Sequence, residues 1–137
     1  MLANSGNLVS RSALYQTAAW GLEDQPDFLN MAILLKTELT PLQLLERIQH
    51  VEHELGRQRI LKWGQRTLDI DILFYDDQVI DLSQLKVPHP FLQERRFALA
   101  PLNEIAPEYV HPILNKTICK LLDECEDKLE AKKYDAN

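Results

Sequence analysis

Residues Thr67 to Tyr75 alternate strictly. Leu68, Ile70, Ile72 and Phe74 fall on one side of an extended chain, and Thr67, Asp69, Asp71 and Leu73 on the other. A period of two does not suit a helix, so the stretch predicts a strand with one face on a core. Asp69 and Asp71 then share the opposite face, a few ångströms apart. Carboxylates are too costly to bury there without partners. Divalent magnesium takes carboxylate oxygens together with phosphates and waters, which makes this pair a candidate metal site. The plainer alternative is the solvated outer face of an edge strand.

Upstream lies Arg57-Gln58-Arg59-Ile60-Leu61-Lys62-Trp63-Gly64-Gln65-Arg66, with four cations and no acid. It lacks clean periodicity and reads as a loop. Guanidinium groups beside paired carboxylates point to a phosphate site where metal and arginine share the anionic load. A solvated charge run is the alternative, but such runs seldom hold a Trp. Trp63 could close over a flat ring or pin the loop to the core. The whole chain carries a formal charge of −6, so a basic patch is local and general nucleic-acid binding is disfavoured.

Before the loop, Thr40 reads as an N-cap, Pro41 as the first helical residue and Gln43 as the far half of a capping box. Leu42, Leu45, Ile48, Val51 and Leu55 follow at helical spacing, and Gly56 is the expected stop. Glu52 lies on the apolar side, one turn from Gln49. It needs an arginine partner or a ligand hydroxyl, unless it snorkels to the edge.

Leu8 to Thr17 and Phe28 to Leu39 read as strands, with Ala18 to Asp27 a loop. Asp76-Asp77 reads as a turn before a short strand at Gln78 to Ile80. Val87-Pro88-His89-Pro90 must be irregular or extended, which stiffens the backbone at His89. Arg95 and Arg96 add cations that could reach a phosphate tail. Phe91 to Ile105 predicts helical turns interrupted at Pro101. Asn115 is the expected cap of a last helix, with Ile118, Leu121, Leu122, Cys125 and Leu129 on its buried stripe. His50, His53 and His111 show no metal-ligand spacing and read as surface or edge residues. Cys119 and Cys125 fit neither a redox nor a zinc motif and are expected as free thiols in a reducing cytoplasm. No apolar stretch is long enough for a bilayer, and no secretory signal is expected. With 137 residues the chain is expected as one domain over 1–137, α+β, with a mainly antiparallel sheet packed with helices.

Several blocks together resemble the 6-hydroxymethyl-7,8-dihydropterin pyrophosphokinase family. Gly56-Arg57-Gln58-Arg59 and Trp63-Gly64-Gln65-Arg66-Thr67-Leu68-Asp69-Ile70-Asp71-Ile72-Leu73 resemble its signature. Asp24-Gln25-Pro26-Asp27-Phe28-Leu29-Asn30 looks like its pterin-side segment. Val87-Pro88-His89-Pro90, with Arg95 and Phe97, looks like its ATP-side loop, and Pro101 to Pro107 like its C-terminal motif. The resemblance implies a ferredoxin-like fold and transfer of pyrophosphate from ATP to the pterin alcohol in folate biosynthesis, releasing AMP. It implies that Asp69 and Asp71 hold two magnesium ions. Arg57, Arg59, Arg66, His89 and Arg95 would contact the triphosphate, Gln49, Glu52 and Ile72 would complete the ATP set, and Arg57 and Arg66 would count as catalytic with the two aspartates. Thr17, Phe28, Asn30, Trp63 and Phe97 would form the pterin slot. The loop from Arg57 to Arg66 would be a mobile lid.

The family's usual first strand and helix have no counterpart before Leu8. Ala18 and Ala19 stand where proline is common, Lys62 where arginine is common and Gln65 where proline is common. The alternative reading is a catalytically impaired nucleotide-binding relative or a truncated fragment. The expected partners are small molecules, with neither nucleic acid nor membrane. The expected assembly is a monomer, as in the family, or a dimer if the missing strand leaves an open sheet edge.

Overall fold

A computed structural model describes residues 6–17, 28–60, 69–127 and 131–133, with backbone only at 28 and 56–60. The chain divides into two compact units, Met1–Asn7 with Leu35–His89 and Leu8–Leu34 with Pro90–Asn137. The fold class is α+β, of the ferredoxin-like kind. No described helix is long and apolar enough to cross a membrane.

The two predicted N-terminal strands are each broken. Leu8 to Thr17 becomes β1 (Asn7–Arg11) and β2 (Tyr15–Thr17), and Phe28 to Leu39 becomes β3 (Phe28–Asn30) and β4 (Ile33–Lys36). β1 pairs with β4. The breaks face each other. Ser12 donates its N–H to the Ala32 carbonyl at 2.9 Å, and its Oγ accepts the Ala32 N–H at 3.0 Å. A buried serine hydroxyl thus takes a donor that a regular ladder would have given to a carbonyl, and period-two patterning carries no mark of that exchange.

In the first unit, the capping box forms as read. Thr40 N–H donates to Gln43 Oε1 at 2.9 Å, and Gln43 N–H to Thr40 Oγ1 at 3.2 Å. Helix α1 (Pro41–Ile60) buries Leu44, Ile48 and Val51. It does not stop at Gly56. A helical glycine costs only about 1 kcal/mol relative to alanine, and the good helix formers Arg57, Gln58 and Arg59 follow it. Residues Arg57 to Ile60, expected in a loop, are therefore helical. The stretch 69–74 belongs to no strand, against expectation, yet Asp69 and Asp71 are exposed while Ile70 and Ile72 are half-buried. The alternation is present without a ladder. Asp76 adopts a left-handed φ of 50° in the expected turn, closed by the Gln78 N–H to the Tyr75 carbonyl at 3.1 Å. A short antiparallel pair follows, β5 (Ile80–Asp81) with β6 (Lys86–Val87), before the cis Val87–Pro88 peptide.

In the second unit, β2 lies between β3 and β7 (Ala131–Lys133), antiparallel to both. A 3₁₀ turn at Leu92–Glu94 leads to α2 (Arg96–Ile105), which packs on α3 (Ile118–Glu124) and on β2. Pro101 lies inside α2 instead of interrupting it, which corrects the expected break. Leu92, Leu99 and Ile118 are fully buried, each contributing roughly 1.5–3 kcal/mol. The cap of α3 is Thr117, whose Oγ1 accepts the Lys120 N–H at 3.2 Å. Asn115, expected in that role, instead takes a left-handed φ of 57° in the preceding turn. Leu129 and the segment 18–27 lie outside the described residues.

Candidate active site

The first unit gathers one set of the predicted residues. Gln49 is exposed on α1, and Glu52, one turn on, is half-buried. Glu52 Oε2 accepts the backbone N–H of Ile70 at 2.7 Å. That peptide lies between Asp69 and Asp71, which are both exposed, while Ile72 is half-buried. Three residues on from Ile70, the Leu73 carbonyl accepts the His89 N–H at 3.0 Å, which ties the aspartate segment to the stiff Pro-flanked loop. The Tyr75 hydroxyl donates to the Leu39 carbonyl, just ahead of α1. Gln49, Glu52, Asp69, Asp71, Ile72 and His89 therefore all belong to one unit.

The second unit gathers another set. Thr17 and Phe28 are register partners across β2 and β3, as are Tyr15 and Asn30. Thr17 is 2% exposed, and its Oγ1 and Asn103 Oδ1 are the buried side-chain polar atoms without a partner among the described residues. An unsatisfied buried hydroxyl is costly, on the order of 1–3 kcal/mol. Phe97 is half-buried on α2, and the Arg95 guanidinium carbon sits 5.8 Å from its ring centroid and 5.5 Å from that of Phe91. Such stacking holds a cation on an aromatic platform. Trp63 and Arg66 lie outside the described residues, as do the side chains of Phe28, Arg57 and Arg59.

Two expectations are corrected here. Arg96 is no free cation for a phosphate tail. Its Nε donates to the Asp127 carbonyl at 2.9 Å, its Nη2 to the Cys125 carbonyl at 3.1 Å, and its backbone N–H to Asp127 Oδ2 at 3.2 Å. It clamps the chain beyond α3. His111 is not at the surface but 4% exposed, with Nδ1 accepting the N–H groups of Ile113 and Leu114 at 3.1 Å each. Burial pushes its pKa below 6.5. A support that sequence reasoning missed is Glu104. Tyr15 donates its hydroxyl to Glu104 Oε1 at 2.8 Å, and Ala13 its N–H to Oε2 at 3.1 Å. Burial, then the bond to Glu104 and its charge, push the Tyr15 phenol up to about 12. The same bond is the main cause holding the Glu104 carboxyl below its usual range. Glu104 thereby fixes the strand that carries Thr17 to helix α2. Its one sequence mark is its place in the Pro101 to Pro107 block.

One unit of this α+β protein thus holds an exposed acidic pair steadied by a helix, and the other an arginine on an aromatic platform and a buried threonine hydroxyl. Sequence comparison narrows the class. The description of 7,8-dihydro-6-hydroxymethylpterin-pyrophosphokinase matches residues 1–107, and the chain belongs to that family. It is 50% identical over 107 residues to the 2-amino-4-hydroxy-6-hydroxymethyldihydropteridine pyrophosphokinase of Aquifex aeolicus, covering 78% of this chain and 67% of that protein. The Bacillus subtilis enzyme of the same name is 52% identical over 97 residues, 71% of this chain and 58% of the relative. The Haemophilus influenzae one is 43% identical over 106 residues, 77% and 66%. The chain thus spans about two thirds or less of the length of these relatives.

Proposed function

We propose that the chain transfers a pyrophosphoryl group from ATP to 6-hydroxymethyl-7,8-dihydropterin, giving the pterin diphosphate and AMP, as a cytoplasmic enzyme of folate biosynthesis. The observation that carries the reading is the exposed Asp69 and Asp71 pair in a family-matched stretch, flanked by inward Ile70 and Ile72. Among the described residues no group of three or more His, Cys, Asp or Glu is arranged to hold a metal ion. Two carboxylates alone fit magnesium shared with substrate phosphates, since that ion keeps waters and phosphate oxygens as its other ligands. Asp69 and Asp71 would hold two magnesium ions, which would supply charge neutralisation to the substrate phosphates.

The chain's own groups do the rest. Arg57, Arg59, Arg66, His89 and Arg95 meet the triphosphate, and Gln49 and Ile72 line the nucleotide. Thr17, Phe28, Asn30, Trp63 and Phe97 receive the pterin. The Thr17 hydroxyl, without a partner among the described residues, supports this, because a polar heterocycle edge would give it one. The hydroxymethyl oxygen attacks the β-phosphorus and the bond to the AMP oxygen breaks. Positioning and electrostatic stabilisation then provide most of the rate. The test is AMP release with ATP, magnesium and the pterin alcohol all present. Asp69→Ala or Asp71→Ala is expected to cut it at least about 1,000-fold, a loss in the range of removing a group that stabilises transition-state charge. Turnover near the wild-type rate in either variant sinks the assignment.

A further inference from the structure

Among the described residues, 69–74 lie in no strand, so no ladder sets how the two aspartates are presented. The backbone is instead tied at Ile70 to Glu52, at Leu73 to His89 and, through the Tyr75 side chain, to Leu39. Of these three ties, the one to Glu52 falls between Asp69 and Asp71. It is a charge-assisted bond of 2.7 Å from a helix whose own place is set by buried Leu44, Ile48 and Val51. Exposed Asp69 and Asp71 flank half-buried Ile70, the alternation of an extended chain, so holding that one peptide fixes the backbone that carries both carboxylates. We propose that Glu52 is a positioning residue. It grips the peptide between the proposed metal-binding aspartates and sets their separation and aim, in place of the nucleotide contact that the family resemblance implies for it. The inference takes the metal from the functional reading above, while the Ile70 bond stands apart from it.

The test uses the full chain, with Mn²⁺ as the probe and a non-hydrolysable ATP analogue. Glu52→Ala is expected to speed exchange of the Ile70 amide and to weaken Mn²⁺ binding in the analogue complex about 5- to 10-fold, the scale of one lost hydrogen bond. Affinity for the metal-free analogue is expected to stay within about twofold, because no nucleotide contact is lost. Glu52→Gln keeps an acceptor oxygen and is expected to recover most of both effects. The proposal is overturned if Glu52→Ala leaves Mn²⁺ affinity intact, weakens the metal-free complex equally, or is matched by Glu52→Gln. Mn²⁺ binding that ignores Asp69→Ala and Asp71→Ala overturns the functional reading and this inference together. Binding that needs those aspartates but ignores Glu52→Ala overturns the inference alone.

Discussion

His111 shows what a single ring can do in a turn. Its Nδ1 accepts two backbone N–H groups, which only a neutral imidazole can do, and burial depresses its pKa below 6.5. The folded state therefore disfavours the proton. Its contribution is complete above pH 6.5 and is lost as pH falls through the depressed folded value. His111→Leu is expected to cost about 1–3 kcal/mol near pH 8, by leaving two N–H groups without an acceptor. Denaturant titrations at pH 8 and pH 5 check this: the gap between wild type and variant should shrink at the lower pH, and a gap that widens refutes it. Sequence could not show this role, because the partners are the backbone of Ile113 and Leu114 and no pattern of residue types encodes them. The carboxylates at 69 and 71 were legible because alternation alone fixes which side chains share a side. Glu52 was legible only as a puzzle, an acid on an apolar stripe, since its partner is a main-chain N–H on a distant segment.

Helix α1 begins where two side chains three residues apart say it must. Thr40→Ala is expected to lower stability by about 1 kcal/mol, read as a shift in the denaturation midpoint with an unchanged slope. Its far end was not legible, since one glycine is too weak a signal against the helix formers around it. Sheet pairing was read least well. The breaks in the first strands rest on Ser12 meeting Ala32, and the absence of a ladder at 69–74 is a tertiary fact that periodicity does not carry. Gly6 marks another such contact. It has a φ of 155°, and a Cβ there would lie 2.3 Å from the Lys36 carbonyl oxygen, so the chain passes there only without a side chain.

Across the molecule, the proposed substrate sets divide between the two units. The acidic pair and its helix fall in one, while Thr17, Asn30, Arg95 and Phe97 fall in the other. Ligand linkage gives a global readout of the first set. Magnesium with an ATP analogue at a hundred times its Kd is expected to stabilise the wild-type chain by about 2.7 kcal/mol. The Asp69→Ala, Asp71→Ala double variant is expected to show no such gain in thermal unfolding, and an equal rise in both would refute the metal assignment. The family-matched residues end at 107, yet β7, beyond them, lies along β2. Trimming the polypeptide to its recognisable portion would strip that flank. It would leave the hydrogen-bonding rim of Tyr15–Thr17 open to other chains and deprive Arg96 of its anchorage. A segment beyond the family match thus covers one edge of the strand that bears Thr17.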